Sequence, residues 1–165
     1  MKTLYLIRHA KSSWKNEKLS DFDRPLNNRG LRDAPFMGQR LANYRVSPGI
    51  ILSSPAMRAI ETATTIASEV GYPKDAIQRI TSLYLASLNT LLETVNEIDD
   101  KHESAFIFGH NPGMTMFANF LTTYAIDNVP TCGVVCVLFE VDSWKDVAEN
   151  RGSLSFFDYP RRHLI

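Results

Sequence analysis

The sequence predicts an α/β fold: a three-layer α/β/α sandwich around a mostly parallel sheet, with an antiparallel edge strand. The main observation is that short apolar runs of strand length alternate with amphipathic segments of helical period. No repeat, low-complexity tract or flexible linker interrupts this alternation. The length of 165 residues fits one domain, predicted as 1–165, and is enough to bury a sizeable core.

Five apolar runs are predicted as strands. The run 3–7 is nearly continuously apolar, which is typical of a strand buried on both faces. The runs 50–52 and 105–108 follow, and each stops at a polar or glycine-containing segment. The runs 134–141 and 154–157 lie close together near the C-terminus, which favours antiparallel pairing at one edge of the sheet.

Four helices are predicted between these strands. The first covers roughly 31–44, although Pro35 leaves its start open. The second begins near 56, with a Ser cap and Pro55 at the first helical position. The remaining two are marked by apolar stripes at helical spacing, Leu88–Ile98 and Phe117–Tyr124.

Charge and composition exclude several function classes. Lys plus Arg is 18 and Asp plus Glu is 18, a balance that argues against a nucleic-acid binder. The balance is uneven along the chain, because the first 45 residues hold ten basic and four acidic side chains. No run approaches a membrane span of about 20 residues, and the N-terminal run is too short for a signal peptide. With Cys132 and Cys136 interpreted as buried thiols, these features predict a cytoplasmic protein that binds neither nucleic acid nor membrane.

Three predicted strands end in polar groups at the edge where open α/β sheets bind ligands. The first ends at Arg8 and His9, the second at Ser53-Ser54-Pro55 with Arg58 in the following helix, and the third at Gly109-His110-Asn111-Pro112. Each element alone has a structural explanation: a histidine whose hydrogen bonds are made within the fold, an arginine in solvent, or a turn. Their equivalent positions together predict a phosphate pocket built around an imidazole, with helix N-termini adding N–H donors.

These segments resemble the conserved blocks of the histidine phosphatase (phosphoglycerate mutase-like) superfamily. Leu6-Ile7-Arg8-His9-Ala10-Lys11-Ser12 is similar to its Arg-His-Gly signature, and the other two strand ends resemble its second and third blocks, in order. The segment 23–30 resembles the Leu-Thr-x-x-Gly motif, with Asn27 in place of Thr. The likeness runs from residue 3 to about 120 and is nearest to the SixA-like phosphohistidine phosphatase branch.

The resemblance implies a phosphatase that needs no metal or cofactor. His9 would attack phosphorus and become a transient phosphohistidine, which water then hydrolyses. Arg8 and Arg58 would clamp the phosphoryl oxygens, and His110 would donate to the same oxygens. Ser12 would add a phosphate contact, and Lys11 beside it would either bind substrate or face solvent.

The sequence departs from the family pattern at two points. Ala10 stands where the signature has glycine, and the stretch 82–87 has no carboxylate where many members carry a glutamate that acts as the acid. Asp21 or Asp23 could supply that acid, but both could equally be solvated turn residues. A missing acid favours a phosphorus–nitrogen bond over an alkyl phosphate, because an imidazole can leave already protonated.

The leading hypothesis is therefore that the chain hydrolyses phosphohistidine on proteins. The partner expected at this pocket is a phosphorylated protein or a small phosphorylated substrate. One alternative is a phosphomonoesterase or mutase acting on small metabolites. Another is a non-catalytic reader of phosphorylated ligands, which the intact His9 disfavours. The basic segment 159–163 is predicted to be solvated, and Trp14 and Trp144 are predicted to be packing residues.

Overall fold

The computed structural model describes residues 1–163, so the last two residues of the predicted domain 1–165 lie outside the described residues. The strands are β1 (Lys2–Arg8), β2 (Ile50–Ser53), β3 (Gln78–Arg79), β4 (Ser104–Gly109), β5 (Val134–Phe139) and β6 (Gly152–Asp158). The helices are α1 (Asn28–Asn43), α2 (Met57–Val70), α3 (Leu88–Asn96) and α4 (Gly113–Leu121). Short 3₁₀ turns include Asp21–Asp23 and Pro160–Arg162.

The strands form one sheet in the order β3-β2-β4-β1-β5-β6. Strands β1 to β4 are parallel, β5 is antiparallel to β1, and β6 is antiparallel to β5. The predicted mostly parallel sheet with antiparallel pairing at one edge is confirmed. The reversed strand is β5, one position in from the edge, and the two-residue β3 was not predicted because it has no apolar run.

Helices cover both faces of the sheet, as the three-layer prediction requires. On one face, α1 and α2 pack through Met37, Leu41 and Ile66 against strand residues such as Ile51 and Phe106. The opposite face carries α3 and α4, whose buried side chains are Leu91, Val95, Met114, Phe117, Ala118 and Leu121. Successive strand residues point to opposite faces, which explains why the central strands are apolar throughout.

The predicted start near 56 for α2 agrees with the structure to one residue, whereas α1 begins before the predicted position 31 and Pro55 does not begin α2. Helix α1 begins at Asn28 and contains Pro35, and the Asn27 side chain caps it by accepting from the Gly30 N–H at 2.9 Å. Helix α2 begins at Met57 with Ala56 as its N-cap and no side-chain cap, so Pro55 is not its first residue. Oγ of Ser54, the serine predicted as the cap, accepts the Ala56 N–H at 3.3 Å, one residue before the helix begins.

Two predicted C-terminal ends are also too long. Helix α4 stops at Leu121, three residues before Tyr124, which is 56% exposed. Strand β5 stops at Phe139 rather than at 141. In both cases the apolar residue beyond the end belongs to the loop that follows. Periodicity alone does not distinguish an apolar loop residue from one inside the helix or strand.

Both cysteines are free and buried, in agreement with the prediction. Burial raises the pKa of the Cys136 thiol to about 11 and raises that of Cys132 even further above its ordinary value. None of the helices formed by residues 1–163 combines the length and the apolar character that a membrane crossing requires.

Close packing of α1 against the segment after β1 requires glycine at position 30. A Cβ at Gly30 would overlap the main-chain oxygen of Lys11, which already accepts the Asn27 N–H at 3.0 Å. We expect Gly30→Ala to lower the free energy of unfolding by about 2 kcal/mol or more, since a backbone atom must move to relieve the overlap. Urea unfolding measures this loss, and Leu31→Ala, which changes an exposed neighbour, serves as the matched control.

Candidate active site

The pairing of β1, β4 and β2 brings three strand ends together at the carboxyl edge of the sheet. Arg8 lies opposite Gly109, and Ser53 lies opposite Phe108. The main-chain N–H of His9 donates to the Gly109 oxygen at 3.1 Å, so His9 and His110 follow adjacent strands. Their ring centroids are 5.1 Å apart.

His9 is held in one tautomer. Its Nδ1 lies 2.7 Å from the main-chain oxygen of Ala10, and because a carbonyl can only accept, the proton is on Nδ1. The lone pair is therefore on Nε2, which lies 3.4 Å from Nε of Arg58. Ala10 fits in place of the family's glycine because it is fully buried, and its N–H donates to Oγ1 of Thr62 at 2.9 Å.

His9 is uncharged at neutral pH. Burial, with repulsion from His110, Arg58 and Arg8, lowers its pKa to about 3 against the opposing hydrogen bond to Ala10. An imidazole in this state has an unprotonated ring nitrogen available for attack. The arrangement thus supplies a neutral nitrogen nucleophile whose orientation is fixed by the main chain.

His110 is also neutral, but its proton is on the other nitrogen. Arg58 can only donate, so Nδ1 of His110, 3.3 Å from Nη2 of Arg58, is the acceptor. Its Nε2–H then donates to Oγ of Ser54 at 2.8 Å. Burial and the nearby Arg58 lower the pKa of His110 to about 4. Donation to a phosphoryl oxygen would need a second proton on Nδ1, and this role stays a prediction.

Arg58 is 3% exposed and joins the histidines to Asp21. Its Nη1 donates to the main-chain oxygen of Asp21 at 2.6 Å, and its Nη2 donates to the Asp21 carboxylate at 3.0 Å. The same carboxylate accepts hydrogen bonds from the Tyr84 hydroxyl and from Arg24. Asp21 is thus the centre of a polar network beside the histidines.

The two aspartates considered as acids occupy different places. Asp23 is exposed and accepts from the Ser20 hydroxyl, away from this network. Partial burial raises the pKa of Asp21, but the hydrogen bonds from Tyr84, Arg24 and Arg58 outweigh it and hold that pKa well below its usual range. Asp21 is therefore ionised at neutral pH and carries no proton to donate.

Tyr84 is the main residue that sequence reasoning missed. It lies in the stretch 82–87, which contains no carboxylate, and its ring packs edge-on against His110 with centroids 5.5 Å apart. Its hydroxyl holds Asp21 against Arg58. The only signal in the sequence was its position within this stretch.

The other predicted site residues surround this centre. Arg8 donates from Nη1 to the main-chain oxygen of Val129 at 3.0 Å, and its buried Nε has no hydrogen-bond partner within residues 1–163. Ser12 is buried and accepts from Nη1 of Arg24 at 2.6 Å, which ties it to the Asp21 network. Lys11 is not among the hydrogen-bond partners of either histidine ring within residues 1–163, and it lines a cavity together with Arg8.

The two tryptophans differ. Trp144 is fully buried, in agreement with its prediction as a packing residue. Trp14 is 70% exposed, and the Arg24 guanidinium stacks 3.5 Å from the centroid of its ring. Trp14 therefore covers an arginine of the Asp21 network from the solvent side. Within the described part of the chain, no cluster of three or more His, Cys, Asp or Glu side chains has the arrangement of a metal site.

The depressed pKa values of the two histidines make stability depend on pH. An unfolded histidine has a pKa near 6.5. Between pH 7 and pH 5 the two histidines therefore bind protons in the unfolded chain but not in the folded one. We expect the free energy of unfolding to fall by about 4 kcal/mol over this range, because both His9 and His110 remain neutral. Asp21 adds to the loss only near and below its ordinary pKa of about 4.

Urea unfolding at a series of pH values measures this dependence. The His110→Gln variant is expected to lose about half of it, since one of the two groups is gone. An unfolding free energy that stays constant between pH 7 and pH 5 would show that the buried histidines are charged in the folded protein.

Comparisons with known proteins agree with this architecture. Residues 4–104 match the family described as the histidine phosphatase superfamily, branch 1. An uncharacterised chloroplast protein of Arabidopsis thaliana is 32% identical over 151 residues, 87% of this chain and 69% of that protein.

Two solved structures share the fold. A candidate phosphohistidine phosphatase SixA from Agrobacterium tumefaciens is 27% identical, with a TM-score of 0.81 over 96% of this chain and 98% of that one. The protein histidine phosphatase SixA in complex with tungstate has a TM-score of 0.83 at 16% identity, over 97% of this chain and 98% of that one. The predicted phosphoglycerate mutase-like fold is confirmed.

Proposed function

This chain belongs to the histidine phosphatase superfamily, and from that premise we propose that it hydrolyses phosphohistidine on proteins through a covalent phosphoryl group on His9. The observation that carries the proposal is the state of His9: a neutral ring whose Nδ1–H is bound to Ala10 and whose Nε2 faces Arg58. Family membership supports phosphatase activity in general. The substrate class rests on the arguments that follow.

The reaction has two steps at one nitrogen. In the first, Nε2 of His9 forms a bond to phosphorus while the bond from phosphorus to the substrate imidazole breaks, and that imidazole leaves as a neutral ring because its other nitrogen already carries a proton. In the second, water attacks phosphorus and the bond to Nε2 breaks, so that both protons of the water leave with the inorganic phosphate as H₂PO₄⁻ and His9 returns to its neutral form. Dividing the transfer in this way replaces one difficult step by two easier ones. The hydrogen bond to Ala10 keeps the same nitrogen available for both steps.

The guanidinium groups stabilise the charge that is transferred. Arg58 lies within 3.4 Å of the attacking nitrogen and is 3% exposed, so its charge is little screened by water. Arg8 adds an unsatisfied donor, and an anionic oxygen is the kind of group that would satisfy it. In phosphoryl transfer, positioning and charge stabilisation of this kind supply most of the catalysis.

The preference for phosphohistidine rests on the state of Asp21. Its depressed pKa leaves it ionised, so it is a poor acid for protonating an alkoxide leaving group. The imidazole that leaves from phosphohistidine needs no such acid, because its other ring nitrogen already carries a proton. The name of the similar Agrobacterium tumefaciens structure, a candidate phosphohistidine phosphatase, supports the same substrate class. The bound tungstate of the other SixA structure, a tetrahedral oxyanion like phosphate, supports an oxyanion site on this fold.

The test compares kcat/KM for a phosphohistidine peptide with kcat/KM for sugar phosphates. We expect the peptide to be favoured by about 10²-fold or more, the range that a positioned general acid would otherwise contribute for the alkyl substrate. A higher kcat/KM for a sugar phosphate would support the small-metabolite alternative instead. If the chain binds phosphopeptides without turning over any phosphoryl donor, it is a reader.

A further inference from the structure

A second cationic cavity lies next to the proposed active site. It has a volume of about 210 Å³ and is formed by the start of α1, the segment 130–131 and the C-terminal turn Pro160–Arg162. Its lining includes five basic side chains, namely Arg8, Lys11, Arg29, Arg32 and Arg161. Arg8 directly precedes His9 in the sequence, so the cavity shares a residue with the proposed site.

Among the described lining residues, one carboxylate contacts two of these five cations. Asp33 is 3% exposed and accepts from Nε and Nη2 of Arg32 at 3.1 and 3.0 Å. It also lies 3.9 Å from Nε of Arg29, and Nη2 of Arg29 donates to Oγ1 of Thr131 at 3.3 Å. Asp33 is the only acidic side chain among the lining residues, so the five cations leave the cavity with a surplus of four positive charges.

Folding alone does not explain this concentration of charge. Arg29 and Arg32 lie in the first two turns of α1, where the helix dipole favours anions, and the first turn contains no acidic residue. Like charges held close together also repel one another. The arrangement therefore reduces the stability of the free protein, and an anion bound in the cavity would reverse that effect.

The C-terminal basic segment takes part in this cavity. It was predicted to be solvated, and Arg161 is indeed exposed, but Arg161 and Tyr159 both line the cavity. The volume of about 210 Å³ lies below the range of roughly 300–1,000 Å³ that is usual for pockets enclosing a whole small molecule. It suits one oxyanion group attached to something larger.

We propose that this cavity is a second oxyanion site, which holds an acidic group of the substrate while His9 reacts with the phosphoryl group. The acidic group is a carboxylate or a phosphate, since the planar forks of arginine side chains bind both. The evidence for the oxyanion site is the charge and size of the cavity, whereas its use by the substrate rests on the proposed function. Substrates with acidic residues close to the phosphohistidine would be preferred.

Binding is tested without catalysis, by titrating ¹⁵N-labelled protein with inorganic phosphate at low ionic strength. We expect two separate groups of amide shifts, one around His110 and one that includes Arg29, Thr131 and Tyr159. The double variant Arg32→Ala/Arg161→Ala should weaken phosphate binding in the second group about tenfold or more. The matched control Lys101→Ala/Arg151→Ala removes the same charge from exposed positions before β4 and β6, at the opposite end of the sheet, and should change neither group.

Use by the substrate is tested with two phosphohistidine peptides of equal length, one flanked by glutamates and one by glutamines. We expect the wild-type protein to favour the glutamate peptide about tenfold in kcat/KM, and we expect that ratio to fall toward one in the double variant but not in the control. If phosphate saturates the His110 group of amide shifts and the second group does not shift, the proposal of a second oxyanion site is wrong.

The remaining outcomes separate the two proposals. A peptide ratio of one in the wild-type protein, with the second-group shifts present, would assign the cavity to a free anion and overturn its use by the substrate. If neither peptide is turned over, the proposed function fails and takes the substrate assignment with it. The titration would still decide whether the oxyanion site exists.

Discussion

Replacing His9 by alanine is expected to lower kcat by about 10⁴-fold or more and to abolish trapping of ³²P on the protein. The reason is that Nε2 of His9 is the proposed nucleophile: it is unprotonated, it lies beside Arg58, and the hydrogen bond from Nδ1 to Ala10 fixes its orientation. Such a loss corresponds to about 5.4 kcal/mol of transition-state stabilisation. The measurement combines rapid-quench labelling from a ³²P-phosphohistidine peptide with steady-state kinetics.

The matched control for this change is His102→Ala. His102 lies just before β4, at the opposite end of the sheet from the proposed site, so its removal should leave both labelling and turnover unchanged. Label that persists in His9→Ala would contradict the proposal and would point to His110, the neighbouring imidazole. Loss of label in both variants would mean that the assay reports folding rather than chemistry.

The second large effect is expected for Arg58→Ala, which should lower kcat/KM by about 10³-fold, or about 4 kcal/mol. Arg58 contacts His9, His110 and Asp21 at once, so its loss removes both the charge and the contact that positions the other groups. It also removes a repulsion that lowers the pKa of both histidines, so those pKa values should rise. NMR titration of the histidine ring protons measures the rise.

Arg58→Lys separates charge from geometry. We expect lysine to restore little of the activity, because a single ammonium cannot reach Asp21 and both imidazoles as a planar guanidinium does. Arg151→Ala, at an exposed position, is the control for removal of one arginine. Full activity in Arg58→Lys would show that only the positive charge matters, and near-normal activity in Arg58→Ala would remove Arg58 from the catalytic machinery.

The features that the sequence predicted well are those with a local pattern. The buried strands are continuous apolar runs, and their polar ends led directly to His9, Arg58 and His110. Pro35 shows the limit of local rules, because a residue that usually breaks helices lies inside α1. Strand β3 shows another limit, since two exposed polar residues become a strand only by pairing with β2.

The parts of the site that were not predicted depend on contacts between distant segments. Tyr84 binds Asp21 across 63 positions of sequence, and Ser54 binds His110 across 56. No spacing rule connects such pairs. The uneven charge of the first 45 residues was visible in the sequence, but its distribution in space was not. Four of these basic residues line the second cavity and Arg24 belongs to the Asp21 network, whereas Lys2 and Arg40 make their contacts elsewhere.

The contact between Asp21 and Arg58 has a consequence for which anions can enter the site. A ligand that binds Arg58 must compete with a carboxylate that is already seated there, so the exchange favours the competitor with the greater charge and the larger number of oxygens. A phosphoryl dianion meets that requirement, whereas acetate and singly charged phosphodiesters carry no more charge than the aspartate that they would displace. We therefore expect the site to prefer terminal phosphoryl groups to singly charged anions, because the ligand must displace the Asp21 carboxylate from Arg58.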